Sequence, residues 1–343
     1  MGGSSPAAYV KQNLAKSPRA PALPLLLFAA ALLCAIPGQP HAANPRIGFL
    51  APGTPEGSAL VLSGLRRGLQ DHGYSDGVNL TIEARYANDQ FDRLPGLARE
   101  LADVPVDVMV AFVTQTSLAA KQAAGSAPVV MIGVSDPVAS GLVTTLSRPG
   151  ANVTGTSAAF TGLVGKGVQL LRELDPGVDR VAVLWNPSNR VFQAQMLDEI
   201  KASARQLGVR LQVFEARDLA SIETAFAAMA KERIRAVSVL PDPVYAAHWP
   251  RIASLAASSR LYSVTVTSSY AEAGGLMTYG PSLVDLARVS AGYVAKILNG
   301  AKPGQLAVEQ PTKFELVINL KTAREIGVMV PQPLRLREDR LIE

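Results

Sequence analysis

The sequence predicts an α/β fold of two similar Rossmann-like lobes, each an open parallel sheet flanked by helices, joined through a three-crossing hinge. Two observations carry this. Short Val/Ile/Leu-rich runs alternate with longer helical patterns, the arrangement of βα units. Four of those runs then recur in the same order. RIGFLAPG (46–53) resembles RVAVLWNP (180–187), and GVNLTIEAR (77–85) resembles GVRLQVFEAR (208–217) with one inserted residue. VDVMVAF (106–112) matches IRAVSVL (234–240), and VVMIGVSD (129–136) matches YSVTVTSS (262–269). The offsets stay between 128 and 134 residues, so the body reads as an internal duplication.

Residues 1–43 read as an export signal. A basic stretch ends at Arg19, ALPLLLFAAALLCAI (22–36) is the apolar segment, and Ala42-Ala43 close it with small residues. The apolar run is short for a membrane span and is broken by Pro37-Gly38, which disfavours the alternative of an anchor helix. Lipid attachment at Cys34 is a lesser option, because Leu33 rather than a small residue precedes it.

In the first lobe, SALVLSGLRRGLQDHG (58–73) sets Leu60, Leu62, Leu65 and Leu69 near one face and stops at Gly73. DRLPGLARELAD (92–103) supplies the second helix; the counterparts are VFQAQMLDEIKASARQLG (191–208) and SIETAFAAMAKERI (221–234). ANVTGTS (151–157) is the strand leaving the first lobe and GGLMTYGPS (274–282) the one leaving the second. SLVDLARVSAGYVAKILNG (282–300) packs back, and FELVINL (314–320) crosses again. The expected lobes are residues 44–156 with 283–309, and 157–282 with 310–343.

With 343 residues, 48% hydrophobic and 18% charged, the composition is that of a globular protein. The net charge of +5 sits largely in the leader, where Lys11, Lys16 and Arg19 meet no acid; the remainder carries +2, so no nucleic-acid partner is expected. Cys34 is the only cysteine, so the body has no thiol or disulfide chemistry and no cysteine-ligated metal. His41, His72 and His248 lack metal-binding spacing, and there is no Walker A, strand-linked GxGxxG or GxSxG motif. No cofactor, metal or enzymatic reaction is expected.

Open sheets bind ligands outside the carboxyl ends of their strands. The candidates are Thr54, Asn186 and Asn189 after the first strands, and Thr114, Gln115, Thr116, Asp242 and Tyr245 after the third. Ser135, Asp136, Ser269 and Tyr270 follow the fourth. Hydroxyls and free amides at helix starts suit an anion, an ionised Asp suits an ammonium, and tyrosines offer a flat wall. Together they suit an amino acid or similar small zwitterion. The same residues have structural readings. Asp136-Pro137, Asn186-Pro187 and Asp242-Pro243 suit a helix N-cap followed by proline. Thr114, Thr116 and Ser117 suit caps of SLAAKQAA (117–124), and Tyr270 a packing role. The two Asp-Pro-Val turns are not counterparts, since Asp136 follows a fourth strand and Asp242 a third.

RIGFLAPG, DRLPGLARELADVPVDVMVA, SDPVASGLVTTLSRPGANVTGTS, LLRELDPGVDRVAVLWNPSN, VLPDPV, GGLMTYGP and VEQPTKFELVINLKTAREIG resemble the bacterial ABC-transporter substrate-binding proteins of the tryptophan/tyrosine-binding type. The likeness covers nearly all of 46–343. It implies a type I periplasmic-binding-protein fold, a ligand trapped by hinge closure, and aromatic amino acids among the ligands. Asp136-Pro137, Asn186-Pro187 and Asp242-Pro243 match the family pattern. Where the family commonly has Gly-Thr-Pro after the third strand, this chain has Val113-Thr114-Gln115, which keeps Thr114 alone.

The expectation is an exported, periplasmic, monomeric receptor that hands a small-molecule ligand to an inner-membrane ABC permease with its ATPase. Thr114, Thr116 and Ser135 would hold an acidic group, Asp242 an ammonium, and Tyr245 or Tyr270 would wall the side chain. The alternative is a periplasmic ligand-sensing component of a signalling system.

Overall fold

A computed structural model describes residues 44–343; the expected leader 1–43, with Cys34, lies outside the described residues. Five strands form the first sheet, all parallel, in the order β2-β1-β3-β4-β5. They are β1 (Arg46–Ala51), β2 (Thr81–Tyr86), β3 (Val108–Phe112), β4 (Val129–Val134) and β5 (Val153–Ser157). Helices α1 (Pro55–Asp71), α2 (Leu94–Asp103) and α3 (Thr114–Ala123) follow the first three strands in turn.

The second half repeats the plan. Strands β6 (Arg180–Trp185), β7 (Arg210–Glu215), β8 (Ala236–Val239) and β9 (Tyr262–Thr265) alternate with helices. Those helices are α5 (Arg190–Gln206), α6 (Leu219–Lys231), the short α7 (Pro243–Ala247) and α8 (Trp249–Ser258), with α4 (Thr161–Leu174) leading in and α9 (Ser269–Glu272) leading out. After them come β10 (Met277–Gly280), α10 (Leu283–Leu298), β11 (Glu315–Asn319), α11 (Leu320–Ile326), α12 (Gln332–Arg335) and β12 (Arg340–Ile342). The second sheet runs β12-β11-β10-β9-β8-β6-β7.

The duplication extends to strand register. Arg46 lies opposite Thr81 as Arg180 lies opposite Arg210, and Ile47 opposite Val108 as Val181 opposite Ala236. In the fourth strands Met109 pairs with Val129 and Val237 with Ser263, so Ser263 rather than Tyr262 is the counterpart of Val129. The sequence match was off by one residue there and by two in the second strands, where it set Thr81 against Gln212 rather than Arg210; β4 carries an irregularity between Met131 and Val134.

The chain passes between the sheets three times: from β5 into α4, from β10 into α10, and through residues 309–315 into β11. Strand β11 is antiparallel to β10 because the chain re-enters the second sheet from the far side. Helix α10 returns to pack on α1, β4 and β5.

Two local expectations are corrected. Leu60 is 58% exposed; the buried face of α1 is Val61, Leu62, Leu65 and Leu69 with Ser58, Gly64 and Gly68. Asp136-Pro137 opens a turn over 137–140 and not a helix, with the Asp136 carboxylate accepting from the amides of Val138 (3.0 Å) and Ala139 (2.9 Å).

Helices α1 and α10 touch backbone to backbone at two glycines. A Cβ on Gly68 would stand 2.4 Å from the Arg288 carbonyl oxygen and 2.7 Å from the Ala291 Cβ. Neither neighbour can swing away, so overpacking must shift α10 itself. Gly68→Ala is expected to destabilise by about 1–3 kcal/mol despite the better helix propensity of alanine. Urea unfolding measures this, and an unchanged midpoint would contradict the close packing.

Candidate functional site

In each sheet the chain winds outward in both directions from one pair of strands, β1 and β3 in the first and β6 and β8 in the second. Loops leaving such a switch point diverge and leave a crevice. Here both crevices face one cavity of about 490 Å³. The first lobe contributes Pro52, Thr54, Glu56, Asp89, Val113 and Gln115 among others, and the second Phe192, Pro241, Asp242, Trp249, Thr267 and Ser269. Phe112, Phe160, Phe192, Trp249 and several prolines make most of the wall apolar.

The charged residues among the lining groups are Glu56, Asp89 and Asp242, all acidic. Four lining residues present a buried polar atom with no hydrogen-bond partner: Asp89 Oδ1, Gln115 Oε1, Trp249 Nε1 and Thr267 Oγ1. Such groups are uncommon because each costs about 1–3 kcal/mol, so four at one cavity single it out as the candidate site.

Asp89 is held there by backbone geometry. Asn88 and Asp89 both adopt positive φ, 52° and 62°, consecutive left-handed residues that neither glycine nor a turn proline supports. The amides of Ala87, Asn88 and Asp89 bond in turn to the carbonyls of Ala51, Gly53 and Pro52 at 2.9–3.1 Å, which ties this loop to the β1 loop. Burial pushes the Asp89 carboxyl above its usual range, partly offset by the charge of His248. Sequence reasoning missed Asp89 because it drew candidates only from the loops after the first, third and fourth strands, although Asp89 lies three residues past β2 as Thr54 does past β1. The Asn-Asp dipeptide, tolerant of left-handed backbone, was the available signal.

Val113 is held still more tightly. Its φ of 67° and ψ of −179° fall in a region populated essentially by glycine, at a cost of order 1–3 kcal/mol. The Val113 amide donates to the Ile132 carbonyl (2.9 Å). Its carbonyl accepts from the amide of Ser117 (3.2 Å), from Thr116 Oγ1 (3.0 Å) and from Ser117 Oγ (2.7 Å). Thr116 also donates to the Phe112 carbonyl. Expected as a ligand contact, Thr116 is fully buried and bonds this turn instead.

Asp242 N-caps α7 by accepting from the Val244 amide (2.9 Å). It also accepts from Asn186 Nδ2 (3.2 Å), Asn189 Nδ2 (2.7 Å) and, more loosely, Gln193 Nε2 (3.4 Å). Burial raises its carboxyl to about 6, against the stabilising bonds from Asn189 and Asn186. Expected to face an ammonium, this carboxylate is already ringed by amides of its own lobe. Asn189 Oδ1 in turn accepts from Gln115 Nε2, a hydrogen bond between the lobes.

Of the other sequence candidates, Thr54 caps α1 through the Gly57 amide (3.1 Å) and lines the cavity, as Ser269 does. Thr114 Oγ1 accepts from the Ser135 amide (3.4 Å), and Ser135 Oγ pairs with Thr161 Oγ1 (3.3 Å); neither residue lines the cavity. Tyr245 does not line the cavity; it is fully buried in the core of the second lobe, with its hydroxyl donating to the Ala216 carbonyl (2.8 Å). Tyr270 is also fully buried and stands behind Trp249, ring centroids 5.0 Å apart and edge to face. Trp249 is thus the wall that the tyrosines were expected to form. The sequence singled out its segment, VYAAHWPRI after Asp242, as one that could tune specificity, but not Trp249 itself, because Trp249-Pro250 does not directly follow a strand.

Residues 54–341 match the family of ABC transporter substrate binding proteins, and the chain belongs to it. A crystal structure of an ABC domain in complex with L-Trp from Streptococcus pneumonia is 25% identical, with a TM-score of 0.81 over 87% of this chain and 100% of that one. A conserved domain protein from Vibrio cholerae is 28% identical, with a TM-score of 0.81 over 87% of this chain and 99% of that one. The tyrosine-binding protein of Clostridioides difficile (strain R20291) is 24% identical over 265 residues, 77% of this chain and 76% of that protein. The fold is therefore the type I periplasmic-binding-protein fold. The family is one of binding proteins, not enzymes.

The buried Asp242 carboxyl has a pH signature. Its folded value of about 6 exceeds the ordinary 3.8, so the folded state holds the proton more tightly than the unfolded chain. That contribution to stability is present below about pH 4 and lost as pH rises through 6. Relative to Asp242→Asn, the wild-type protein should lose roughly 3 kcal/mol between pH 4 and pH 7, at about 1.4 kcal/mol per unit. Paired urea titrations test it, and a pH-independent difference would contradict it.

Proposed function

We propose that this protein is the exported receptor of an ABC importer and captures an amino acid with an aromatic side chain in the inter-lobe cavity. The single observation that carries this reading is the unpartnered Asp89 carboxyl oxygen in a largely apolar cavity whose lining holds no Lys, Arg or His. A buried carboxyl oxygen without a hydrogen-bond partner is costly even on a half-buried side chain with the His248 charge nearby, and a ligand ammonium supplies the missing partner. The ligand's own carboxylate finds no basic side chain. It is placed at the start of α3, whose first amides have no side-chain cap.

Phe112, Phe160, Phe192 and Trp249 offer apolar area for an aromatic ring. Trp249 Nε1 and Thr267 Oγ1 both lack partners: Thr267 Oγ1 can accept from a ligand indole N–H or phenol, and Trp249 Nε1 can donate to a phenol oxygen. The L-Trp complex and the tyrosine-binding relative support the same ligand class. Among the described residues no helix is long and apolar enough to cross a membrane. Delivery to a membrane permease with its ATPase, export by the leader to the periplasm, and action as a monomer are parts of this proposal.

Isothermal titration calorimetry with amino acids, purines and sugars tests the ligand class. Binding of L-tryptophan or L-tyrosine is expected. Asp89→Asn should weaken it by about 1–3 kcal/mol, the cost of losing a charge-assisted hydrogen bond at a half-buried carboxyl. Binding of a sugar or purine alone, or an Asp89→Asn variant of undiminished affinity, would overturn the reading.

A further inference from the structure

We propose that Val113 sets the size of ligand the cavity accepts; this rests on the cavity being the ligand site. Six non-glycine residues among those described have positive φ: Asn88, Asp89, Val113, Ala159, Arg233 and Arg260. Val113 is the β-branched one, and for such a residue positive φ is an outlier rather than a tolerated variant.

Nothing in the bonding of this turn needs a valine. Its amide bonds to Ile132, and its carbonyl accepts from the Ser117 amide and from the Thr116 and Ser117 hydroxyls. All of these are main-chain bonds on the Val113 side, and a glycine would make every one of them without strain. What valine adds is an isopropyl group, on a residue that is 8% exposed and lines the cavity. It stands beside Phe112 and within two residues of Gln115, which bonds across to Asn189 in the other lobe. The turn therefore places apolar bulk on the first-lobe wall, near the point where the two lobes touch. Because the backbone is clamped at both ends, that bulk cannot be withdrawn by relaxing φ. A ligand whose side chain reaches this wall meets a fixed limit.

Two substitutions separate space from strain. Val113→Ala opens the wall but keeps a Cβ in the glycine region, whereas Val113→Gly opens it and removes the strain. Urea unfolding of the free proteins should show Val113→Gly more stable than Val113→Ala by roughly tenfold in the folding constant, the reverse of the usual order of these residues. Calorimetry with L-phenylalanine, L-tyrosine, L-tryptophan and 5-benzyloxy-L-tryptophan should show both variants gaining about tenfold for the bulkiest compound relative to the smallest. The proposal is overturned by the ordinary stability order. It is also overturned if the variants rank the four compounds as the wild-type protein does, or bind none of them. Failure of the wild-type protein to bind any of them counts separately, against the amino-acid reading itself.

Discussion

The carboxylate of Asp242 is removed from water with no cation beside it, and much of the site is arranged by what that requires. A carboxylate only accepts hydrogen bonds, so the side-chain amides around it must all present nitrogen. Asn186, Asn189 and Gln193 do so. Once Asn189 turns its Nδ2 toward Asp242, its Oδ1 points away, and there it receives Gln115 Nε2 from the other lobe. That leaves Gln115 Oε1 as an acceptor without a partner. One buried charge thereby fixes the polarity of a chain of amides that ends at the contact between lobes.

This division of labour explains why two acids at one cavity do different things. Asp242 is fully supplied by its own lobe and sets geometry. Asp89 is left with a bare oxygen by a loop that spends two left-handed residues to put it there. The left-handed Asn88 and Asp89 and the strained Val113 gather on one side of the cavity, in loops clamped by main-chain bonds to β1 and β4. A ligand that satisfies groups from both lobes binds the closed arrangement better than the open one, and that difference is what shifts such an equilibrium.

The architecture was legible because parallel strands buried on both faces leave Val-rich runs, and duplication made those runs recur. The matches at Val129 and Thr81 slipped because an apolar run does not by itself fix pairing register. Site residues were less legible. Strand-end position located Thr54, Gln115, Asp242 and Ser269 at the cavity wall, but it could not say which way a neighbouring side chain turns. Tyr245 and Tyr270 lie beyond their strand ends and turn into the core, where each ring buries more apolar area than a cavity wall would allow. Thr116 turns inward to the carbonyl of Val113, whose glycine-type backbone is hinted at only by the glycine the family commonly has at that position. Asp89 and Trp249 reach the cavity through loop paths and a helix start that alternation does not predict.

The central claim is that the cavity between the lobes holds one small aromatic amino acid whose ammonium completes Asp89. Native mass spectrometry of protein purified without refolding, before and after addition of L-tryptophan and L-tyrosine, tests it most directly. The account predicts one bound molecule of amino-acid mass per chain, retained by the wild-type protein and lost by Asp89→Asn. Protein that takes up neither compound, or that carries a bound sugar or nucleobase mass instead, would contradict it.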